Sequence, residues 1–326
     1  MREDTMLSST RAELHQQIKT MNKGVPDHQK SARAWAIYFG DKNARLQLQQ
    51  DQNRLAVECA QPVIHWVVPS ENDQPAVDLC VYKPKNATAK LLIIYFIPGD
   101  GYGVGNAKML SDSLQDLAVL QQAAVVNVEY KLATEAPFLA DLNDVYLGLG
   151  YVFRNAVGFG LDNERVVFMS ERSGGGLTAR FALYTRDNRE FAPKWQVLIY
   201  PMLNHRTDTE ASPYHNETAG ECVWTAKANC YGWENLRGDK EIIILQTLYF
   251  SPTMLNNLEV LPNTFIMVGE MDLFVNEYID HANRLIHSGV SPKLHFTPDF
   301  FHAFNMVNPT AKETILKFAR VRIMIC

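Results

Sequence analysis

The heptapeptide Ser170-Glu171-Arg172-Ser173-Gly174-Gly175-Gly176 follows directly on the apolar run Val166-Val167-Phe168-Met169 and leads into Leu177-Thr178-Ala179-Arg180-Phe181-Ala182-Leu183. A strand entering a glycine-rich turn and leaving as a small-residue helix is the layout G-x-S-x-G, which presents a nucleophilic serine for acyl transfer. The middle position here holds Arg172. A guanidinium stays protonated at any ordinary pH and cannot attack a carbonyl. Two groups suited to proton transfer come later: Asp272, within Val268-Gly269-Glu270-Met271-Asp272-Leu273-Phe274, and His302, within Phe301-His302-Ala303-Phe304. Each also has an ordinary reading. An aspartate after a strand caps the next helix, and a lone histidine among aromatics is more often structural. Their chain order, turn then Asp then His, is that of a nucleophile–Asp–His triad.

These residues need a scaffold, and the apolar pattern supplies one. Continuous apolar runs predict strands at Leu91 to Ile97, Ala123 to Val128, Arg165 to Met169, Trp195 to Tyr200, Thr264 to Val268 and Lys293 to Phe296. Helical stretches at 109–122, 141–156, 175–185 and 276–288 lie between them. Strands alternating with helices predict an α/β fold, a mainly parallel central sheet covered by helices on both faces. Functional groups in such sheets gather at the carboxyl ends of the strands. Residues 1 to about 50, and about 204 to 252, stand outside this repeat and predict a helical cap on a single 1–326 domain.

Composition narrows the partners. The chain has 326 residues, is 47% hydrophobic, and carries a net charge of −5. That balance argues against nucleic acid or an anionic membrane surface as partner. Five scattered cysteines (Cys59, Cys80, Cys222, Cys230, Cys326) form no C-x-x-C pair, so no metal and no cofactor is expected. The charged start Met1-Arg2-Glu3-Asp4 has no apolar signal core, and no stretch is long enough to span a bilayer. The expected location is therefore cytoplasmic, and the sequons at Asn86 and Asn216 are chance matches. A homodimer is compatible with all of this.

Four segments together resemble the hormone-sensitive-lipase branch of the α/β-hydrolases, which includes the plant carboxylesterase-like proteins. The resemblance spans roughly residues 78 to 320. Val128-Glu129-Tyr130-Lys131-Leu132-Ala133-Thr134-Glu135-Ala136-Pro137-Phe138 is similar to the branch's YRLAPE-x-PFPA scaffold segment. Ile97-Pro98-Gly99-Asp100-Gly101-Tyr102-Gly103-Val104-Gly105 is similar to its H-G-G-G loop, whose backbone N–H groups form part of the oxyanion hole, with Pro98 and Asp100 as departures. The segment around Asp272 resembles G-x-x-D-P-L-x-D-E, which implies that Asp272 orients the histidine. Phe301-His302-Ala303-Phe304 resembles the stretch holding the general base, which implies that role for His302. Ser173 and Gly174 fall just after the nucleophile position. There the backbone N–H of Ser173 serves the oxyanion hole, and a shifted register with Ser173 as nucleophile is the alternative.

The resemblance implies an α/β-hydrolase with its serine replaced by Arg172 and a degenerate loop at Gly99, Asp100, Gly101 and Tyr102. The expected function is a non-hydrolytic enzyme, a lyase, isomerase or cyclase, that uses Asp272, His302 and Arg172 on a small hydrophobic carbonyl compound of specialised metabolism. The branch includes dehydratases and cyclases, which favours this reading. A receptor-like binding protein is the first alternative, since the plant gibberellin receptor resembles the same family. A carboxylesterase with an unusual nucleophile is the second. A guanidinium aimed into a pocket requires an acceptor, so Arg172 is expected to meet Asp100, Asp272 or a ligand.

Overall fold

Leu91–Ile97 is apolar at every position because both faces of that strand are covered, and all seven residues are buried. In the computed structural model, which describes residues 39, 41, 43–48, 50, 51, 64–71, 73–99 and 101–307, this strand sits near the middle of an eight-stranded sheet. The strands are β1 (Ile64–Val68), β2 (Val77–Tyr82), β3 (Leu91–Ile97), β4 (Ala124–Glu129), β5 (Leu161–Glu171), β6 (Trp195–Ile199), β7 (Asn263–Gly269) and β8 (Pro292–Thr297). Their spatial order is β1-β2-β4-β3-β5-β6-β7-β8. The β1–β2 and β2–β4 pairs are antiparallel, and every later pair is parallel. The six expected strands are all present, and β1 and β2 add an antiparallel end that the apolar pattern did not announce.

Helices fill the crossovers: α1 (Ser111–Gln121), α2 (Ala140–Asn155), α3 (Arg172–Asn188), α4 (Ala226–Arg237), α5 (Ile244–Phe250), α6 (Val275–His287) and the short α7 (Phe304–Val307). Helix α3 packs on β5 and β6, and α6 on β7 and β8. The expected start of α3 at residue 175 is corrected to Arg172, immediately after the strand. Three glycines lower helix propensity, but they permit close packing that outweighs it. A Cβ on Gly176 would lie 2.1 Å from the Met202 carbonyl oxygen, and one on Gly174 would lie 2.5 Å from those of Ile97 and Pro98.

Because β3, β5, β6, β7 and β8 run parallel, the segments that leave them gather along one sheet edge. Residues 204–252 contribute α4 and α5 and pack over that edge, where Trp233 meets Tyr102 with ring centroids 5.3 Å apart. The apolar run Ile242–Leu245 leads into α5. Most of residues 1–50 lies outside the described residues. The described part brings Phe39 against Trp224 and the Arg45 guanidinium over the Tyr231 ring of α4. No helix among the described residues is long and apolar enough to cross a membrane.

Candidate active site

Glu171 closes β5 in extended conformation, and Arg172 opens α3 at φ +57°. A non-glycine residue in the left-handed region is uncommon and carries strain. The turn is tight: a Cβ on Gly99, in the loop after β3, would lie 2.0 Å from the Glu171 carbonyl oxygen. This fixes the β3 loop against the strand-to-helix turn and sets Arg172 beside Gly99.

The Arg172 side chain is one-fifth exposed and lines a cavity of about 180 Å³. Its Nη1 donates to the Gly99 carbonyl at 3.2 Å, and its Nη2 lies 3.5 Å from Glu171 Oε2. The carboxylate expected beside Arg172 is therefore present but is Glu171, which corrects the expectation of Asp272. Asp100 lies outside the described residues. Nε of Arg172 is buried and finds no hydrogen-bond partner among the described residues. The buried Glu171 is also 3.3 Å from the hydroxyl of Tyr200. Burial and the neighbouring Glu171 carboxylate raise the Tyr200 phenol well above its usual range, so that hydroxyl stays protonated. Tyr200 in turn hydrogen-bonds Asn305.

His302 and Asp272 meet as the sequence order suggested. His302 Nδ1 is 3.0 Å from Asp272 Oδ2, and both side chains are almost wholly buried. Asp272 Oδ1 accepts from the Phe274 N–H at 3.0 Å. Asp272 is not the cap of α6, whose N-cap is Phe274 without a side-chain bond; one of its oxygens holds the turn before that helix and the other faces the ring. Tyr200, Trp224 and Phe274 surround the imidazole at centroid distances of 5.2, 6.1 and 5.5 Å. With Nδ1–H given to Asp272, Nε2 is the nitrogen left to exchange a proton.

The structure brings Arg172, His302, Gly99 and Gly101 to one cavity. Tyr102 turns instead into the core, 1% exposed, with the Arg180 guanidinium over its ring. Ser173 is fully buried, and its Oγ accepts from the Gly101 N–H at 2.6 Å. That hydroxyl therefore occupies an N–H of the loop after β3. Gly174 serves the close approach of α3 to β3. The rest of the lining is mainly apolar: Val104, Met109, Leu110, Met202, Val223 and Trp224. Glu171 and Tyr200 had no role in the sequence reading. Adjacency to Arg172 in sequence was no signal for Glu171, since consecutive strand residues point to opposite faces. Among the described residues no group of three or more His, Cys, Asp or Glu side chains is placed to hold a metal ion.

Residues 94–306 match the family described by the alpha/beta hydrolase fold. A protein of Acanthamoeba polyphaga mimivirus named as an alpha/beta hydrolase is 23% identical over 74% of this chain and 69% of its own. Carboxylesterase NlhH of Mycobacterium tuberculosis is 27% identical over 72% of this chain and 73% of its own. A solved bacterial heroin esterase superposes with a TM-score of 0.78 at 25% identity, covering 95% of this chain and 96% of that one.

Proposed function

The chain belongs to the alpha/beta hydrolase fold family, and from that premise we propose that it performs proton transfer on a small hydrophobic carbonyl compound without forming an acyl-enzyme. Arg172 takes the place of the nucleophilic serine in this reading. The reaction is of the lyase, isomerase or cyclase type. The observation that carries it is the His302–Asp272 pair, 3.0 Å apart and buried, at the same cavity as a guanidinium.

The chemistry follows from those groups. Neutral His302 removes a proton from the carbon next to the carbonyl, and Asp272 holds the imidazolium that forms. An Arg172 N–H donates to the oxygen as negative charge develops there. Return of the proton at another position completes an isomerisation, and loss of a β leaving group completes an elimination. A cavity of about 180 Å³ is slightly larger than the roughly 150 Å³ apolar cavity that accepts benzene, so one ring or a short branched chain fits.

Two of the relatives carry esterase names, and an esterase is the reading they favour; in this chain its nucleophile would be Ser173. The burial of Ser173 and its bond to Gly101 weigh against it. A protein that binds the same compound without turnover is favoured by the ties of the guanidinium to Gly99 and Glu171.

Solvent exchange separates these readings. Small ketones incubated in D₂O with the protein should gain deuterium next to the carbonyl, read by mass spectrometry. His302→Ala should slow this by about 10²–10⁴-fold, and Asp272→Asn should slow it too, with binding retained. Binding with no exchange in the wild type selects the binding protein.

A further inference from the structure

We propose that Glu171 sets the charge preference of the cavity, making it select an uncharged carbonyl compound over the matching carboxylate. The inference rests on the function proposed above and names its substrate class.

Arg172 and His302 are the ionisable side chains among the described residues that line the cavity. Read alone, an arginine at an apolar pocket attracts an anion. This arginine is not alone. Glu171 Oε2 stands 3.5 Å from its Nη2, and Glu171 is only 3% exposed, so water does little to screen the pair. His302 has its own carboxylate in Asp272, which is fully buried. Each group able to carry positive charge is therefore matched by a carboxylate. An entering carboxylate would lose its hydration in an apolar cavity and find no net positive charge among the described side chains to replace it.

A neutral carbonyl loses far less on entry. It also finds a donor. The two terminal nitrogens of a guanidinium carry four N–H bonds, and the contacts to Gly99 and Glu171 leave N–H bonds over among the described residues. One acceptor oxygen on an otherwise apolar body matches this cavity. Tyr200 supports the arrangement by donating its hydroxyl to Glu171 Oε2 at 3.3 Å, the same oxygen that faces Arg172 Nη2.

Calorimetric titration with acetophenone, benzoate and ethylbenzene at pH 8 tests the proposal. The wild type should bind acetophenone on the order of tenfold or more tighter than benzoate, with ethylbenzene weaker than acetophenone. Glu171→Gln should raise benzoate affinity about tenfold or more and leave acetophenone within a few-fold. Benzoate binding to the wild type as tightly as acetophenone overturns the proposal. So does an unchanged preference in Glu171→Gln, or no binding of any of the three. If circular dichroism shows that Glu171→Gln does not fold, Arg172→Met takes its place: it should bring acetophenone down to the level of ethylbenzene, and unchanged acetophenone affinity overturns the proposal. These readouts need no turnover. Loss of deuterium exchange with this selectivity intact refutes the proton-transfer reading and spares the charge preference.

Discussion

Arg172 and Glu171 are consecutive in the chain, yet their side chains meet at 3.5 Å on the same side of the turn. Consecutive residues of a strand point to opposite faces. The left-handed conformation of Arg172, φ +57°, folds the chain between strand and helix so that the two converge. The strain of that conformation and the ion pair occur at one place.

The pair should be coupled in stability. Arg172→Ala leaves the buried Glu171 without its cation and should cost about 1–3 kcal/mol. Glu171→Gln should cost less, because Arg172 is partly exposed and keeps its bond to Gly99. The double variant should be more stable than the sum of the single losses predicts, by roughly 0.5–3 kcal/mol. Urea melts of the four proteins measure this. Strict additivity would show that the two side chains do not interact.

Short-chain p-nitrophenyl esters should be hydrolysed at background rate, since Arg172 cannot form an acyl-enzyme. Arg172→Ser should restore little, because the Gly101 N–H is engaged by Ser173 Oγ and one lost oxyanion donor costs on the order of 10²–10³ in turnover. Arg172→Ser with Ser173→Ala should exceed Arg172→Ser alone. Strong wild-type hydrolysis abolished by Ser173→Ala would overturn the assignment of position 172.

Stability should peak on the acid side of neutrality, owing to two residues of α6. Burial pushes the Glu277 carboxyl up to about 8 and His281 down to about 3. Glu277 is raised above its unfolded value of 4.5, so its contribution is full below pH 4.5 and is lost as pH rises to about 8. His281 is depressed below its unfolded value of 6.5, so its contribution is full above pH 6.5 and is lost as pH falls to about 3. The two slopes oppose between pH 4.5 and 6.5, which predicts a plateau there and a decline on either side. Glu277→Gln should flatten the alkaline decline, whose slope is at most about 1.4 kcal/mol per pH unit. Thermal melts across the range decide it, and an unchanged alkaline slope in that variant counts against the assignment.

Strands β3, β4, β6, β7 and the second half of β5 were legible because burial on both faces demands unbroken apolar runs. Strand β1 was not: Ile64-His65-Trp66-Val67-Val68 lies at the sheet edge with exposed His65 and Val67, and its pattern is too short and mixed to stand out. The start of α3 was illegible for a different reason. Gly174, Gly175 and Gly176 read locally as a loop, and only the approach of Pro201 and Met202 makes them helical in context. Asp272 and His302 could be found from their places after β7 and β8. The role of Glu171 could not, because a carboxylate at the end of a strand usually faces water. Its burial depends on Tyr200, which β6 brings alongside from 29 residues away.

The bond from the Gly101 N–H to Ser173 Oγ acts as a ratchet for any lineage that drifts at position 172. A mutation that placed serine there would find the loop amide already committed, so selection would see little return from that step. In the proposed reading, a route to ester hydrolysis also frees that amide from the Ser173 hydroxyl, and this second mutation brings nothing while arginine stands at 172. On that reading, the two changes are worth more together than apart.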